Sequence, residues 1–342
     1  MKFLIITQKV NCDDDILGFF HRWLQEFSRQ AEFLTIICLE KGEYDLASNC
    51  EVLSLGKEKG KSRLRYVINF YRHIWSRRKE YDAVFVHMNP VYIILGWAVW
   101  KGLGKKIGLW YTHKHVDFKL WLASKFCDFI MTASAESFRL ASRKVNVLGH
   151  GIDTDFFKPE ISKEKHTICN ILSVGRIAPV KNQLLLVAIA KELRRRQFPF
   201  RVIIAGEAIT STDKAYRQSV VKEIKASDLE EDFEFAGSVS NRNIVAYYQR
   251  ADVVLNLSDT GSLDKVVLEA LACNVPVLTM NEAFRPILPS ECLIDRDSVS
   301  ISQRIVELAE QPAEGMFRDY VVKNHNLKKL ITRIVGLYEQ FS

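Results

Sequence analysis

The chain contains 342 residues, of which 48% are apolar and 26% charged, and its net charge is +7. This balance is typical of a globular protein, and the length exceeds what one hydrophobic core commonly holds, so we expect two domains. The longest apolar run, 91–100, is too short to span a membrane, and the first ten residues do not resemble a signal peptide. Seven cysteines without a CxxC pair disfavour disulfides and a zinc site, so we expect a cytoplasmic protein with reduced thiols.

Apolar runs and amphipathic stretches alternate along the first half of the chain. Short apolar runs predict strands at 2–7, 33–39, 52–55, 83–87, 106–111 and 129–133. Apolar residues at helical spacing predict helices at 16–29, 61–79, 91–101 and 119–126. This alternation predicts an α/β fold with a parallel sheet covered on both faces. Ligands bind at the carboxyl ends of such strands, so the loops that follow them are candidate binding segments.

The same pattern restarts after a polar segment, 158–166, which we predict to be a linker between two domains. Further strands are predicted at 168–174, 200–205, 233–236, 252–257 and 275–279. Further helices are predicted at 183–195, 214–226, 244–250 and from 316 onward. The two halves therefore share an organisation, although no sequence repeat is visible.

Positive charge is concentrated in and just before the predicted helix at 61–79. The cations are Lys57, Lys59, Lys61, Arg63, Arg65, Arg72, Arg77, Arg78 and Lys79. The apolar residues that recur at helical spacing are Leu64, Val67, Ile68, Tyr71, Ile74 and Trp75. Two interpretations stay open: a helix packed on the sheet with a solvated basic face, or a peripheral contact with an anionic membrane surface. Nucleic acid is disfavoured because no nucleic-acid-binding motif accompanies the basic residues.

The stretch 258–277, SDTGSLDKVVLEALACNVPV, follows the predicted strand at 252–257. Gly261 and Ser262 mark a turn, after which apolar residues recur at helical spacing. Such a unit directs free backbone N–H groups and the positive end of the helix dipole at one point, which suits a phosphate. Glu269, predicted about two turns into the helix, is a candidate to accept hydrogen bonds from a ribose diol. The alternative is a buried strand–helix unit with a solvated Glu269.

Two cations follow the predicted strand at 168–174, in the segment VGRIAPVKN. Arg176 comes directly after Gly175, and Lys181 comes five residues later, just before a predicted helix. Arg176 can bind a pyrophosphate through a fork of donors, and Lys181 can bind it as a point charge. Without a metal ion, these two cations would neutralise a departing nucleoside diphosphate. We predict no metal site, because no DxD-like motif stands out in a plausible position; the acidic run 13–15 lies in the first loop of the N-terminal domain.

The segments LEALACNVPVL and VGRIAPVKN resemble the donor-site signatures of the retaining glycosyltransferases of family 4. The resemblance extends over nearly the whole chain and implies the GT-B fold, in which two Rossmann-like domains face each other across a cleft. It implies an N-terminal acceptor domain over 1–160, a C-terminal nucleotide-sugar domain over 167–315, and a C-terminal helix, 316–342, that packs back toward the N-terminal domain.

The family pattern also assigns roles to individual residues. Members usually carry two glutamates eight positions apart; the second matches Glu269, whereas the first falls on Gly261, so this chain lacks it. The resemblance implies that Glu269 binds the ribose, that Arg176 and Lys181 bind the diphosphate, and that His113, rather than His115, faces the sugar. The altered loop between the two glutamate positions would also contact the donor, through Ser262, Leu263, Asp264 and Lys265.

Weaker similarities add further residues to the implied site. The candidate donor-binding residues outside the glutamate loop are Gly175, Glu207, Ser238 and Val239. The candidate acceptor-binding residues, in the first loop and the start of the first helix, are Asn11, Asp14 and Gly18.

The resemblance implies a retaining glycosyltransferase that moves a sugar from a UDP- or GDP-sugar to a hydroxyl of a glycan or lipid-linked acceptor, in cell-surface polysaccharide or glycolipid synthesis. It implies no tightly bound cofactor, and the basic helix would hold the protein at the inner face of the cell membrane. One alternative is a nucleotide-sugar epimerase, although the predicted cleft is poor in acid–base residues. The other alternative is a non-catalytic nucleotide-sugar-binding protein, which the missing glutamate at Gly261 suggests.

Overall fold

A computed structural model of the protein describes residues 1–14, 16–160, 167–258, 261–310 and 316–340. The chain forms two compact units: the first contains Met1–Asp153 and His325–Ser342, and the second contains Thr154–Asn324. The chain thus changes unit at 153/154, shortly before the predicted linker, and residues 161–166 of that linker lie outside the described part. The segment predicted as one C-terminal helix from 316 is shared between the units.

The first unit is built on a parallel sheet with the strand order β3-β2-β1-β4-β5-β6-β7. The strands are β1 (Lys2–Val10), β2 (Phe33–Lys41), β3 (Cys50–Ser54), β4 (Ala83–His87), β5 (Lys106–Trp110), β6 (Phe129–Thr132) and β7 (Val145–Val147). The helices between them are α1 (Gly18–Gln30), α2 (Arg63–Ser76), α3 (Val91–Gly102) and α4 (Phe118–Phe126). All five residues of β4 are buried, as expected for a central strand covered on both faces.

The second unit has a five-stranded parallel sheet with the order β10-β9-β8-β11-β12. Its strands are β8 (Cys169–Val174), β9 (Phe200–Ala205), β10 (Phe233–Gly237), β11 (Val253–Asn256) and β12 (Val277–Thr279). Its helices are α5 (Gln183–Arg195), α6 (Ser211–Ala226), α7 (Ile244–Arg250), α8 (Lys265–Ala272), α9 (Ser298–Glu310) and α10 (Met316–Asn324). Both sheets therefore have the doubly wound order in which strands are added first on one side of the initial strand and then on the other.

The last helix, α11 (Leu327–Glu339), belongs to the first unit, where it packs on α1. Its Tyr338 is fully buried, donates a hydrogen bond to the carbonyl oxygen of Val84 (2.7 Å) and meets the ring of Phe3 edge-on at 5.0 Å. Helix α10 instead packs on α8 in the second unit. The two helices are separate because Asn326 caps α11, its side chain accepting a hydrogen bond from the Lys329 amide.

Helices α2, α3 and α4 cover the other face of the first sheet. Their buried side chains, Phe70, Trp100 and Leu120, join one apolar cluster with the strands. The apolar residues of α2 that recur at helical spacing do not all pack on the sheet. Ile74 is buried, whereas four of the others are exposed because the sheet covers only one side of the helix: Leu64 (71% exposed), Ile68 (57%), Tyr71 (39%) and Trp75 (56%).

A buried histidine joins α11 to the end of the first 153 residues. The His325 ring nitrogen Nδ1 accepts a hydrogen bond from the His150 amide at 3.0 Å, and the Ile152 amide donates to the His325 carbonyl at 2.7 Å. Burial lowers the pKa of His325 to about 4, so the ring is neutral at physiological pH. The neutral ring can accept this hydrogen bond, and a protonated one cannot.

We expect the protonation of His325 to destabilise the fold at mildly acidic pH. In the unfolded chain the ring binds a proton near pH 6.5, so its contribution, about 3 kcal/mol at most, is lost as the pH falls from about 6.5 toward 4. His325→Asn keeps an acceptor and removes the titrating group, so its urea midpoint should fall less between pH 7 and about pH 5 than that of the wild type. His113→Asn, which removes an exposed histidine, is the control and should retain the wild-type slope. Equal slopes for the wild type and His325→Asn would contradict this role.

Candidate active site

The strand order of the second sheet reverses between β8 and β11, so the loops that follow these two strands diverge and leave a crevice at their carboxyl ends. The loop after β8 carries Gly175, Arg176 and Lys181 and leads into α5. The loop after β11 carries Ser258 and Asp264 and leads into α8. The two sequence segments predicted to bind the donor therefore flank one switch point of the sheet.

Three glycines bring the loops after β8, β9 and β10 into direct backbone contact. The Gly206 amide donates to the carbonyl of Gly237 (2.7 Å), and the Gly175 amide donates to Ala205 (2.9 Å). Gly175, Gly206 and Gly237 all have positive φ angles, of 135°, 148° and 70°. A Cβ at Gly206 would lie only 2.1 Å from the Gly175 carbonyl oxygen. Only glycine allows this approach, which keeps the three loops in direct contact at the edge of the sheet.

Arg176 follows this glycine contact, and its side chain is 46% exposed. Its nearest carboxylate is that of Asp213, at 3.8 Å. Asp213 forms a capping box with Thr210 at the start of α6; the Thr210 amide lowers the pKa of Asp213, and the positive charge of Arg176 contributes. The guanidinium is therefore held beside the sheet edge by a weak ion pair and keeps donors for an anion.

Lys181, on the same loop as Arg176, lies within a polar network that reaches the loop after β11. Its ammonium donates to the hydroxyl of Ser258 (3.2 Å) and lies 3.8 Å from the Asp264 carboxylate. That carboxylate also accepts a hydrogen bond from the side-chain amide of Asn256 (3.0 Å) and contacts the Ser258 hydroxyl (3.1 Å). The network fixes the direction of the Lys181 side chain, which passes over Gly175, where a Cβ would lie 3.3 Å from it.

A second asparagine holds the turn of the altered glutamate loop. The buried side chain of Asn281 accepts a hydrogen bond from the Gly261 amide (3.1 Å) and donates to the Ser262 carbonyl (2.7 Å). Gly261 has a φ of 63°, so the turn uses the left-handed conformation that glycine adopts without strain. Leu263 of the same loop is buried, and residues 259 and 260 lie outside the described part.

Glu269 is nearly buried in α8, and its carboxylate accepts a hydrogen bond from the hydroxyl of Tyr248 at 2.9 Å. Burial raises the pKa of Tyr248 well above its usual range, so the phenol stays protonated and donates. The helix begins only at Lys265, so Glu269 lies about one turn into it rather than two. Burial also lowers the pKa of Lys265, and the charge of Glu269, four residues away on the same helix, opposes this shift.

The other predicted donor residues lie at the same edge of the second sheet. Glu207 follows the close contact at Gly206, and its carbonyl accepts a hydrogen bond from the Ile177 amide (3.1 Å). Ser238 and Val239 follow Gly237 at the end of β10, and a Cβ at Gly237 would lie 3.4 Å from the Glu207 carboxylate. The loops after β8, β9 and β10 thus form a connected rim.

Four side chains that contact the predicted donor residues were not themselves predicted: Asn256, Ser258, Asn281 and Tyr248. The first three are polar residues at the ends of apolar strands, and that position was the available signal. Tyr248 lies in a short helix without any local signal, because its partner Glu269 is 21 residues away.

The remaining predicted residues lie in the first unit. His113 is exposed in the loop after β5, with its ring 6.5 Å from that of Tyr111. Asp14 accepts hydrogen bonds from the amides of Ile16 (3.0 Å) and Leu17 (2.7 Å) and pairs with Lys9 (2.8 Å).

These bonds organise the loop that starts α1. Burial opposes the charge on Asp14, but the hydrogen bonds from Lys9 and the backbone outweigh burial and lower its pKa. Asn11 accepts a hydrogen bond from the Asp13 amide (3.1 Å), and the Gly18 amide donates to the Asp14 carbonyl (3.0 Å). Two of the three candidate acceptor-binding side chains, Asn11 and Asp14, therefore already serve the loop itself.

Two further observations bear on the class of protein. Within the residues that the structure describes, no group of three or more His, Cys, Asp or Glu side chains is arranged to hold a metal ion. None of the helices in the described ranges is both long enough and apolar enough to cross a membrane.

The two doubly wound parallel sheets, with the glycine contacts and cations at the switch point of the second, define a GT-B protein. Residues 152–286 match the family model described as glycosyl transferases group 1, in agreement with the resemblance to family 4. The fold is similar to that of Anabaena Alr3699/HepE, whose crystal structure was determined in complex with UDP and glucose. The TM-score is 0.77 at 14% identity, with 99% of both chains covered.

Two curated relatives match parts of the chain. The 2-deoxystreptamine N-acetyl-D-glucosaminyltransferase of Niallia circulans is 29% identical over 139 residues, which are 40% of this chain and 33% of that protein. The D-inositol 3-phosphate glycosyltransferase of Kineococcus radiotolerans is 36% identical over 114 residues, which are 32% of this chain and 26% of that protein. The matches therefore span about a third or less of these relatives.

We expect Gly206→Ala to be strongly destabilising, because the added methyl group would collide with the Gly175 carbonyl at a φ that alanine avoids. The loss should be on the order of 3 kcal/mol in the free energy of unfolding. The matched control is Gly336→Ala in α11, where a Cβ meets no atom within 4 Å and the change should stabilise by up to about 1 kcal/mol. Urea unfolding checks both values, and a nearly neutral Gly206→Ala would refute the backbone contact.

Proposed function

We propose that the protein is a retaining glycosyltransferase that transfers a sugar from a UDP- or GDP-sugar to a hydroxyl of a glycan or lipid-linked acceptor. One observation carries the proposal: Arg176 and Lys181 both follow β8, a strand of the switch point of the second sheet, next to a close contact between glycine backbones. A diphosphate needs this combination of two cations and close backbone approach. The Anabaena protein, a structural neighbour of the whole chain, was crystallised with UDP, which supports a nucleotide as the ligand.

The proposed chemistry is mainly electrostatic. As the bond from the sugar to the diphosphate breaks, negative charge grows on the leaving phosphate oxygens. Arg176 would stabilise that charge through a fork of donors and Lys181 through a single ammonium, both directed before the reaction starts. The ion pairs with Asp213 and Asp264 orient the two cations without burying them, so their charge remains available to the donor.

The other residues of the rim would bind the rest of the donor. Glu269 would accept a hydrogen bond from a ribose hydroxyl, with Tyr248 holding its carboxylate in place. The loops at Glu207 and at Ser238 and Val239 would contact the nucleotide. The altered glutamate loop, at Gly261, Ser262, Leu263, Asp264 and Lys265, would contact the sugar.

We propose further that transfer occurs on the face of the sugar that the phosphate leaves, with a phosphate oxygen helping to deprotonate the acceptor. His113 would hydrogen-bond the sugar or the leaving phosphate as an imidazole. Asn11, Asp14 and Gly18 remain the proposed acceptor-binding residues. The pathway would be the synthesis of cell-surface polysaccharide or glycolipid, with the protein at the inner face of the membrane.

We expect nucleotides of one class to stabilise the protein selectively. A ligand that binds only the folded state raises stability by about 2.7 kcal/mol at a hundred times its Kd, so a thermal-shift panel of UDP, GDP, ADP and their sugar conjugates identifies the donor class. Arg176→Ala should weaken binding by about tenfold or more, because the diphosphate loses a charged donor. Arg201→Ala, at an exposed arginine of β9, is the control and should bind as the wild type does.

The outcomes distinguish the alternatives. Stabilisation with slow release of free sugar of unchanged anomeric configuration supports a retaining transferase. Stabilisation without turnover of any donor identifies a non-catalytic binding protein, and conversion of the donor to a stereoisomer identifies an epimerase. If none of these nucleotides or sugar conjugates raised the unfolding temperature of the well-folded protein, the proposed donor site would be overturned.

We expect Asp264→Asn to strengthen the binding of UDP or GDP alone. The substitution removes a negative charge 3.8 Å from the Lys181 ammonium, and at an effective dielectric constant near 20 such a charge repels a nearby phosphate by a few kcal/mol before screening. The nucleotide Kd should fall by about tenfold, whereas the extra affinity that the sugar provides should shrink if Asp264 binds a sugar hydroxyl. Titration calorimetry measures both constants, and weaker binding of the free nucleotide would show that Asp264 is needed mainly to hold Lys181.

A further inference from the structure

Helices α2, α3 and α4 lie side by side on one face of the first sheet, with α3 in contact with both neighbours. Their 35 residues, all within the described part, include no aspartate or glutamate. A chain with 41 acidic residues in 342 would place about four in such a length. Six cations are present and all are exposed: Arg63, Arg65, Arg72, Lys101, Lys119 and Lys125. The charge within the three helices is therefore of one sign, and carboxylates lie at the ends of α4, where Asp117 caps the helix and Asp128 pairs with Lys101 at 2.5 Å.

An apolar stripe runs along the exposed side of α2. Leu64, Ile68, Tyr71 and Trp75 follow one another at intervals of four, three and four residues, which places them on one line of the helix. Phe70 and Ile74 form the separate stripe that is fully buried on the sheet. The exposed stripe is not needed for the core, because the core already has its own contacts with α2.

Aromatic side chains continue the apolar surface across α3 and α4. Trp97, 37% exposed, stacks on Phe126 at 4.4 Å, and Phe118, 71% exposed, stacks on Trp121 at 5.6 Å. Cations lie against these rings: the Lys125 ammonium is 5.4 Å from the ring centre of Trp121. Just after α2, the guanidinium of Arg78 lies 4.8 Å from the ring of Trp75. We call these exposed apolar residues and the six cations of the three helices the aromatic–basic face.

We propose that the aromatic–basic face docks on an anionic lipid surface. The aliphatic and aromatic side chains would enter the headgroup region, and the flanking cations would pair with lipid phosphates, the arrangement that interfacial proteins use. The choice of a lipid, rather than another polyanion, as the partner of this face rests on the proposed function. It adds a specific surface of three helices, and it assigns binding to apolar insertion as well as to charge.

The charge and composition of the aromatic–basic face favour an anionic lipid surface over two other partners. A second copy of the chain would bring six more cations against the same face, and the three helices themselves carry no carboxylate to pair with them, so self-association is opposed by repulsion. A nucleic acid would use the cations, but Leu64 and Ile68 offer nothing to a phosphate backbone. An anionic bilayer uses both parts of the face, because it presents phosphates above an apolar layer.

The test is co-sedimentation of the full chain with vesicles of phosphatidylcholine alone or mixed equally with phosphatidylglycerol. Arg65→Glu/Arg72→Glu and Ile68→Ser/Trp75→Ser should each weaken binding to the mixed vesicles by at least about tenfold. Two matched controls should bind as the wild type does: Arg201→Glu/Lys225→Glu, with the same charge change in the second unit, and Val147→Ser/Val299→Ser, which removes exposed apolar residues elsewhere. All these positions are exposed, so the variants should fold, and thermal unfolding checks this.

The outcomes are separable from those of the donor panel, because the same variants are tested for stabilisation by nucleotide. Loss of vesicle binding in both face variants, with nucleotide stabilisation retained, supports the proposal. Nucleotide stabilisation in a wild type that does not bind mixed vesicles would overturn the lipid surface and leave the proposed function intact. Binding that survives both face variants would also overturn it. So would a wild-type dimer that does not bind vesicles and is lost in Ile68→Ser/Trp75→Ser.

Discussion

The ion pair between Lys181 and Asp264 is the interaction on which the candidate site depends. Lys181 comes from the loop after β8 and Asp264 from the loop after β11, so the pair joins the two strands between which the strand order reverses. Asn256 and Ser258 donate hydrogen bonds to the Asp264 carboxylate, which hold its charge at the edge of the sheet. Lys181 and Asp264 lie in loops rather than in the strands. The sheet therefore sets the distance between the two loops, and the hydrogen-bond network sets the direction of the two side chains.

One member of this pair, Asp264, lies in the loop at which this chain departs from the family pattern. The family places a carboxylate where this chain has Gly261, and a glycine-rich loop where it has Asp264 and Lys265. The negative charge has therefore moved three residues along the loop, to the start of α8, where the helix dipole also favours it. Gly261 retains a turn that Asn281 holds through two hydrogen bonds.

The first unit shows a comparable separation of roles within single helices. Phe70 and Ile74 of α2 give the helix its place on the sheet, and its other apolar side chains remain at the surface. Exposed aliphatic and aromatic residues on three adjacent helices without a carboxylate are costly for a protein that is only in water, because contiguous apolar surface promotes association. This cost is the physical reason to expect a partner on that surface rather than a solvated basic helix.

The alternation of apolar runs and amphipathic stretches was enough to predict the fold class, and the motifs VGRIAPVKN and LEALACNVPVL predicted which strand ends carry the candidate site. Both signals are local: a buried parallel strand must be apolar on two faces, and a phosphate-binding turn needs glycine and cations within a few residues. The strand β7 has only three residues, too few for a periodic signal, and the division between α10 and α11 depends on a single cap at Asn326.

The way in which distant residues combine depends on the tertiary structure. The apolar residues of α2, Glu269 and Lys181 could be recognised in the sequence. The sequence did not show which side of α2 the sheet would cover, nor that Tyr248 and Asp264 would be the partners of Glu269 and Lys181. Burial and pairing depend on which elements the chain brings together across 21 residues in one case and 83 in the other. Local sequence carries no record of such a distance, because it is set by the packing of the whole sheet.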